Sequence, residues 1–245
     1  MGLGGGGSHV VQQLAHLGFQ HLVIVDPDRV DETNLNRLVG ASLADALNGT
    51  PKTEVAQRTL DRLGVGDNCR LHQGRWQDRP EMIRGCDLII GCVDSFNERR
   101  ELETIARRYL IPYIDIGMDV HVMHGQASRI GGQLFASIPG QPCMFCIGLL
   151  NEERLSIEAA RYGDAGARPQ VVWPNGILGS TAVGVAVNLV TGWSVTTPLT
   201  YLSYDGNTGT ISPHPRLPFV KDARCSHYSL SDVGDPTLAH VLSGE

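Results

Sequence analysis

Apolar residues recur along this chain in two alternating rhythms. Over 8–17, Val10, Val11, Leu14 and Leu17 fall at helical spacing, and Gly18 closes the segment. The run 21–25 is apolar and β-branched and ends on Asp26, the pattern of a buried parallel strand with a carboxylate at its C-terminal end. The same logic predicts a helix over 52–63, a short strand over 69–74, a buried strand over 87–93 ending on Asp94, a helix over 97–109 and a strand over 112–117. This alternation predicts an α/β fold built on an open, doubly wound, Rossmann-like sheet, mostly parallel, with ligands beyond the strand C-termini.

The rhythm changes after residue 117. Segments 125–138 and 199–212 read as longer, more exposed strands, the second carrying a turn at Asp205, Gly206 and Asn207, so a C-terminal antiparallel extension is expected. Residues 176–193 are rich in Gly, Ala and Val and predict a buried packing helix. Residues 151–174 are polar and charged and read as a crossover loop or lid. One domain over 1–230 and a tail over 231–245 account for the chain.

Ahead of the first helix stands a glycine loop. Gly2, Gly4 and Gly7 form G-x-G-x-x-G, with Gly5 inside it. Such glycines let phosphate oxygens approach the N–H groups of a helix N-terminus, in dinucleotide and triphosphate sites alike. A loop of this kind follows a buried strand, and here only Met1 precedes it. A sheet lacking a central strand leaves buried N–H and C=O groups unpaired, so the expectation is that the first strand is missing from this sequence.

Composition narrows the classes. With 42% hydrophobic residues the 245-residue chain can bury a sizeable core. A net charge of −6 without a long basic run speaks against a nucleic-acid surface. No run of 18 apolar residues predicts a membrane span, and no signal-peptide pattern opens the chain. Six cysteines in a chain this long do not form a secreted disulfide framework, which points to the cytoplasm.

Polar residues give the chemistry its direction. Asp26, 24 positions after Gly2, can accept hydrogen bonds from ribose hydroxyls. Asp28, Asn34 and Arg37 follow, then Lys52 after Pro51. A dehydrogenase has no need of an arginine and a lysine here, whereas a triphosphate does, because charge builds on the leaving pyrophosphate.

This ordered set resembles the ThiF/MoeB/HesA superfamily of adenylating enzymes, which includes the ubiquitin-activating enzymes. The matching pieces are the glycine loop 2–7, Asp26-x-Asp28, the run 33–37, Pro51-Lys52, Cys92-Val93-Asp94, the stretch 125–132 and the run 142–146. The resemblance covers residues 1 to about 228. It implies that the glycine-loop amides, including those at Gly2, Gly4, Gly5 and Gly7, hold the phosphates of ATP, that Asp26 and Asp28 form the nucleotide-binding strand end with Asp26 on the ribose, and that Asn34, Arg37 and Lys52 contact the phosphates. It further implies that Asp94 holds Mg²⁺ and that Arg37, Lys52 and Asp94 carry catalysis. The expected reaction is attack by the C-terminal carboxylate of a ubiquitin-like or sulfur-carrier protein, commonly ending in Gly-Gly, on the α-phosphorus. The family is commonly homodimeric.

Cys143 and Cys146 form a C-x-x-C. Many relatives place a second such pair near the C-terminus and bind a structural zinc with four thiolates. This chain departs from that pattern with Cys225 and His227, so the expected site is Cys143, Cys146, Cys225 and His227; His214 as fourth ligand, or no zinc, are the alternatives. Thioester-forming relatives carry a cysteine in the crossover segment. Residues 147–224 contain none, which predicts adenylation without transfer to an enzyme cysteine. Three other readings stay open: an NAD(P)-dependent oxidoreductase, a non-catalytic scaffold for a ubiquitin-like partner, and an adenylating enzyme acting on a small peptide or on a modified-nucleoside carboxylate in tRNA.

Overall fold

The computed structural model describes residues 1–123, 125, 127–160, 170–194 and 201–228. Helix α1 (Gly5–His16) leads to strand β1 (Val23–Asp26), then α2 (Leu43–Asn48), α3 (Lys52–Arg62), β2 (Arg70–Gln73), α4 (Glu81–Arg84), β3 (Ile89–Gly91) and α5 (Phe96–Arg108). Strands β4 (Tyr113–His121) and β5 (Arg129–Ser137), helices α6 (Glu152–Ala160) and α7 (Val172–Thr191), strands β6 (Tyr201–Asp205) and β7 (Thr210–Pro213) and helix α8 (Leu217–Val220) complete the order.

The strands form two sheets, β1-β2 and β3-β4-β5-β6-β7. Pairing is parallel in β1–β2 and β3–β4, the two helix-connected pairs, and antiparallel from β4 to β7. The expected alternation therefore holds to β4, and the antiparallel extension follows it. Between β1 and β3 lies a gap. Among the described residues, Met1 and Gly2 cross it: Gly2 N–H donates to Val25 O at 2.9 Å, Met1 N to Ile90 O at 2.9 Å, and Cys92 N–H to Met1 O at 2.8 Å.

Side chains alternate across the larger sheet with period two. Tyr113 and Phe135 join one core with Leu102 and Ala106 of α5. Ile114, Ile116, Leu134 and Ala136 face the other way, onto Val10 and Leu14 of α1 and Leu178, Ala182 and Ala186 of α7. A third core joins Val11 and Ala15 of α1 to Ile24 and to Leu60 of α3. Helices on both faces thus fix α1 against the C-terminal ends of the strands, where the site must lie.

Helix α7 begins four residues earlier than the apolar run suggests, and strand β4 continues four residues past Gly117, because β5 pairs with its whole length. The crossover segment is not wholly a loop: Glu152–Ala160 is a helix. Of that expected lid, 172–174 belong to α7, and residues 161–169 lie outside the described residues, as does the tail 231–245.

Candidate active site

The glycine loop packs by contact rather than by flexibility alone. A Cβ on Gly7 would stand 1.9 Å from Gly2 O, and one on Gly2 would stand 2.6 Å from Cys92 O. Gly2 also holds φ +81, which favours glycine. At Gly4, by contrast, nothing lies within 4 Å of an added Cβ. Gly4 caps α1 without a side-chain hydrogen bond, so the first N–H groups of the helix are presented toward that open side.

Two of the expected residues line cavities beside this helix end: Lys52 with Leu3 and Ser8, and Asp94 with Gly4, Gly5 and Gly6. Asp26, 3% exposed, accepts from Leu3 N–H in the loop and from Asp28 N–H at 2.8 Å. Burial pushes its carboxyl above the ordinary value, opposed by the Lys52 charge. Lys52 Nζ lies 2.7 Å from Asp28 Oδ2. In the turn after β1, Asn34 is buried, and among the described residues its Oδ1 has no hydrogen-bond partner. Arg37 donates to Thr33 O at 2.6 Å. Ser8 Oγ, in the first turn of α1, accepts from Val39 N–H at 3.1 Å and so ties this turn to the glycine loop.

Gln170 joins the two sides. Its carbonyl accepts from Asn36 Nδ2 at 2.8 Å, and its Nε2 donates to Asp94 Oδ1 at 3.0 Å. Asn175 lies against Gly5 and donates to Gln170 Oε1 at 3.4 Å. Behind Asp94, the fully buried Arg99 donates to Val93 O through Nε and Nη2, at 3.2 and 3.0 Å, and to Asp115 Oδ2 at 3.0 Å. Tyr113 Oη completes the cluster at 2.9 Å from Asp115 Oδ1. Glu158 of α6 accepts from Phe96 and Asn97 N–H at 3.0 and 2.8 Å, placing a carboxylate on the α5 N-terminus. Ser8, Arg99, Glu158, Gln170 and Asn175 were not legible as site residues. Arg99 left the one usable signal, an arginine on the apolar stripe of an amphipathic helix.

A cavity of about 200 Å³ adjoins Asp94, lined by Arg99, Gly117, Gly131, Gly132 and Gln170. Gly132 is packed closely behind it: a Cβ there would stand 2.6 Å from Leu178 Cδ1 and 3.0 Å from Gly117 O.

The four expected metal ligands also meet. The donor atoms of Cys143, Cys146, Cys225 and His227 all lie within 4.8 Å of one another. Cys143 Sγ is 3.6 Å from Cys146 Sγ and 3.5 Å from His227 Nδ1, and Cys146 Sγ is 3.4 Å from the same nitrogen. A tetrahedron with ligand atoms about 2.3 Å from zinc has edges of about 3.8 Å, so this donor set fits the ion. His214 stacks instead on Tyr201 at 3.8 Å and stands outside the cluster. Buried Glu103 holds both halves, accepting from Met144 N–H at 2.9 Å and from Tyr228 Oη at 3.1 Å.

A glycine loop opening α1, with Asp94 lining one cavity beside Gly4, Gly5 and Gly6 and Lys52 lining another beside Leu3 and Ser8, defines an α/β nucleotide-binding fold. The chain belongs to the ThiF family, whose model matches residues 1–227. It is 28% identical over 212 residues to the molybdopterin-synthase adenylyltransferase of Salmonella typhimurium, covering 85% of this chain and 78% of that protein. It is 30% identical over 149 residues to the SAMP-activating enzyme E1 of Haloferax volcanii, covering 60% of this chain and 51% of that one. Escherichia coli MccB with ATP shares the fold at a TM-score of 0.71 and 20% identity, over 96% of this chain and 65% of MccB. The chain thus spans about half the length of the archaeal relative and about two thirds of MccB. Among the described residues no helix is long and apolar enough to cross a membrane.

Proposed function

We propose that this chain is an ATP-dependent adenylyltransferase that activates the C-terminal carboxylate of a ubiquitin-like or sulfur-carrier protein ending in Gly-Gly. The observation that carries the reading is the uncapped N-terminus of α1, with Asp94 lining a cavity beside Gly4, Gly5 and Gly6, Lys52 lining one beside Leu3 and Ser8, and Ser8 and Gln170 tying in the 33–39 turn. The names of the molybdopterin-synthase and SAMP relatives support the substrate class.

The carboxylate oxygen attacks the α-phosphorus, the bond to the β-phosphate bridging oxygen breaks, and pyrophosphate leaves with the developing charge. The α1 amides, Asn34, Arg37 and Lys52 meet that charge from fixed positions, which is where such catalysis gains most. Asp94 would hold Mg²⁺, which would supply hard-cation charge stabilisation to the phosphates. Asp26 holds the loop and offers its remaining acceptor capacity to the ribose. The cavity beside Asp94, bordered by Gly117, Gly131 and Gly132, suits a tail without side chains.

No enzyme thioester is invoked. Residues 147–224 contain no cysteine, and burial pushes the Cys92 thiol up to about 12, far from thiolate formation. Zinc on Cys143, Cys146, Cys225 and His227 would tie the C-terminal segment to the domain and take no part in the chemistry.

Pyrophosphate exchange tests the reading. With ATP, Mg²⁺ and labelled pyrophosphate, exchange should depend on a Gly-Gly-ending carrier and vanish in Asp94→Ala. ATP binding without exchange, across carriers and short peptides, would favour the scaffold reading. Binding of NAD(P) in place of ATP would return the site to dinucleotide chemistry.

A further inference from the structure

Helix α5 buries three charged residues at intervals of four: Arg99, Glu103 and Arg107. Arg99 is spent at the Asp94 turn. Glu103 and Arg107 are 0% and 6% exposed, and the proposed reaction uses neither. Burying charge this deeply carries a desolvation penalty that only close pairing offsets, so the groups they hold are informative.

They hold the backbone on both sides of Cys143. Arg107 Nη1 donates to Gln141 O at 2.8 Å and Nη2 to Pro142 O at 2.9 Å, the two carbonyls ahead of that cysteine. Glu103 accepts from Met144 N–H, the amide just past it, at 2.9 and 3.1 Å through its two oxygens. Ser137 Oγ lies between the two charges, donating to Glu103 Oε1 and accepting from Arg107 Nε and Nη2 at 3.1 and 2.8 Å.

The C-terminal half of the metal cluster is caught by the same two side chains. Tyr228, next to His227, donates through Oη to Glu103 Oε2 at 3.1 Å. The Arg107 guanidinium stands over the Tyr228 ring, 5.6 Å from its centroid. Phe145, inside the C-x-x-C, stacks on the His227 ring with centroids 5.3 Å apart. None of these contacts runs through a ligand atom, so binding an ion does not make them.

We propose that Glu103 and Arg107 are positioning residues that preassemble the metal site, bringing the Cys143–Cys146 turn and the Cys225–His227 segment together before an ion binds. The inference rests on the zinc reading given above. A site assembled by the ion alone needs no outer support, and its segments separate when the ion is removed. A preassembled one leaves less chain ordering for binding to supply, so its affinity depends on the partners behind the ligands.

The test compares the chain with Tyr228→Phe and Glu103→Gln, each loaded with zinc and stripped by a chelator. Tyr228→Phe removes one hydroxyl and keeps the ring beside Arg107. Zinc affinity, measured by competition with a chromophoric chelator, should fall about 10- to 100-fold in Tyr228→Phe and at least as far in Glu103→Gln. If Glu103→Gln fails to fold, Tyr228→Phe carries the same criterion. A nuclear Overhauser contact between the Phe145 and His227 rings should persist in the stripped chain and weaken in stripped Tyr228→Phe. Loss of that contact on stripping the chain itself would overturn the proposal. So would equal zinc affinity with and without the Tyr228 hydroxyl, even with a lowered melt, because a merely structural pair changes stability and leaves the folded site's affinity alone. A chain that binds no zinc would sink the zinc reading and the proposal together, whereas the other two outcomes sink the proposal alone.

Discussion

Lys52 Nζ stands 2.7 Å from Asp28 Oδ2, and the two partners differ sharply in exposure: the lysine side chain is 10% exposed, the aspartate 61%. The cation is thus fixed by its buried stem at the start of α3, while its counter-ion can be displaced by phosphate without stranding a buried charge. Lys52→Met keeps the stem and removes the charge. Its expected effect is a fall in kcat/KM for ATP of about 100- to 1000-fold, the range for losing one fixed donor to transition-state charge. Stability should move by less than about 1 kcal/mol, because an ion pair with so exposed a partner contributes little. Steady-state kinetics beside a thermal melt separates the two. A melt that falls in step with activity would make Lys52 a structural residue.

The glycine loop gives a matched pair. Gly7→Ala forces a methyl to 1.9 Å from Gly2 O, where backbone must move, so the melting temperature and ATP binding should fall together. Gly4→Ala meets nothing within 4 Å, so the fold should hold while the methyl intrudes where phosphate approaches. Calorimetric titration with ATP against thermal melts should give loss of both properties at Gly7 and loss of binding alone at Gly4.

Asp26 at the end of β1, Asp94 in the turn after β3, the glycine loop and the C-x-x-C were legible from local spacing, whereas Cys225 and His227 were reached only through the family resemblance. The parallel core was legible for the same reason: β-branched runs at 21–25 and 87–93 need burial on both faces. What connects the pieces was not. Gln170 reaches Asp94 across 76 positions, and Glu158 reaches α5 across about 60, and no local pattern encodes such contacts. Helix α6 was hidden because its charged residues left no apolar stripe; none of its residues is buried. Short helix α2 escaped although its Ser42/Asp45 capping box was written in the chain.

Zinc removal should act on stability first. Purified protein is expected to carry about one equivalent of zinc by elemental analysis, from one tetrahedral Cys₃His set. Cobalt substitution should show thiolate-to-metal charge transfer that weakens in Cys225→Ser. A chelator should lower the melting temperature while ATP binding by the remaining folded protein persists. Metal-free protein with an unchanged melt would leave the four residues as a thiol cluster only.

Arg99 tests the support behind Asp94. Removing its guanidinium in Arg99→Met leaves Asp115 buried without its cation and should cost about 3–5 kcal/mol. Burial already pushes the Asp115 carboxyl up to about 6 against the pull of Arg99. Adding Asp115→Asn should restore most of the stability. It cannot restore the two hydrogen bonds on Val93 O, so exchange activity should stay low in the double variant. Recovery of both would reduce Arg99 to a core ion pair with no bearing on the Asp94 turn.

The pair of Asp45 and Arg58 sets an acid limit on the same region. Both guanidinium nitrogens reach the carboxylate at 2.8 Å, and Ser42 caps it, locking α2 onto the α3 helix that carries Lys52. Arg58 holds the Asp45 carboxyl well below its ordinary value of 3.8. A carboxylate whose folded pKa is depressed contributes its stability above the unfolded value and loses it as pH falls toward the folded one. The stability gap between the chain and Asp45→Asn should therefore be constant above about pH 5 and shrink steadily below about pH 4. Urea unfolding at a series of pH values measures it. A gap that instead widened toward low pH would reverse the sign and place the charge of Asp45 against the fold.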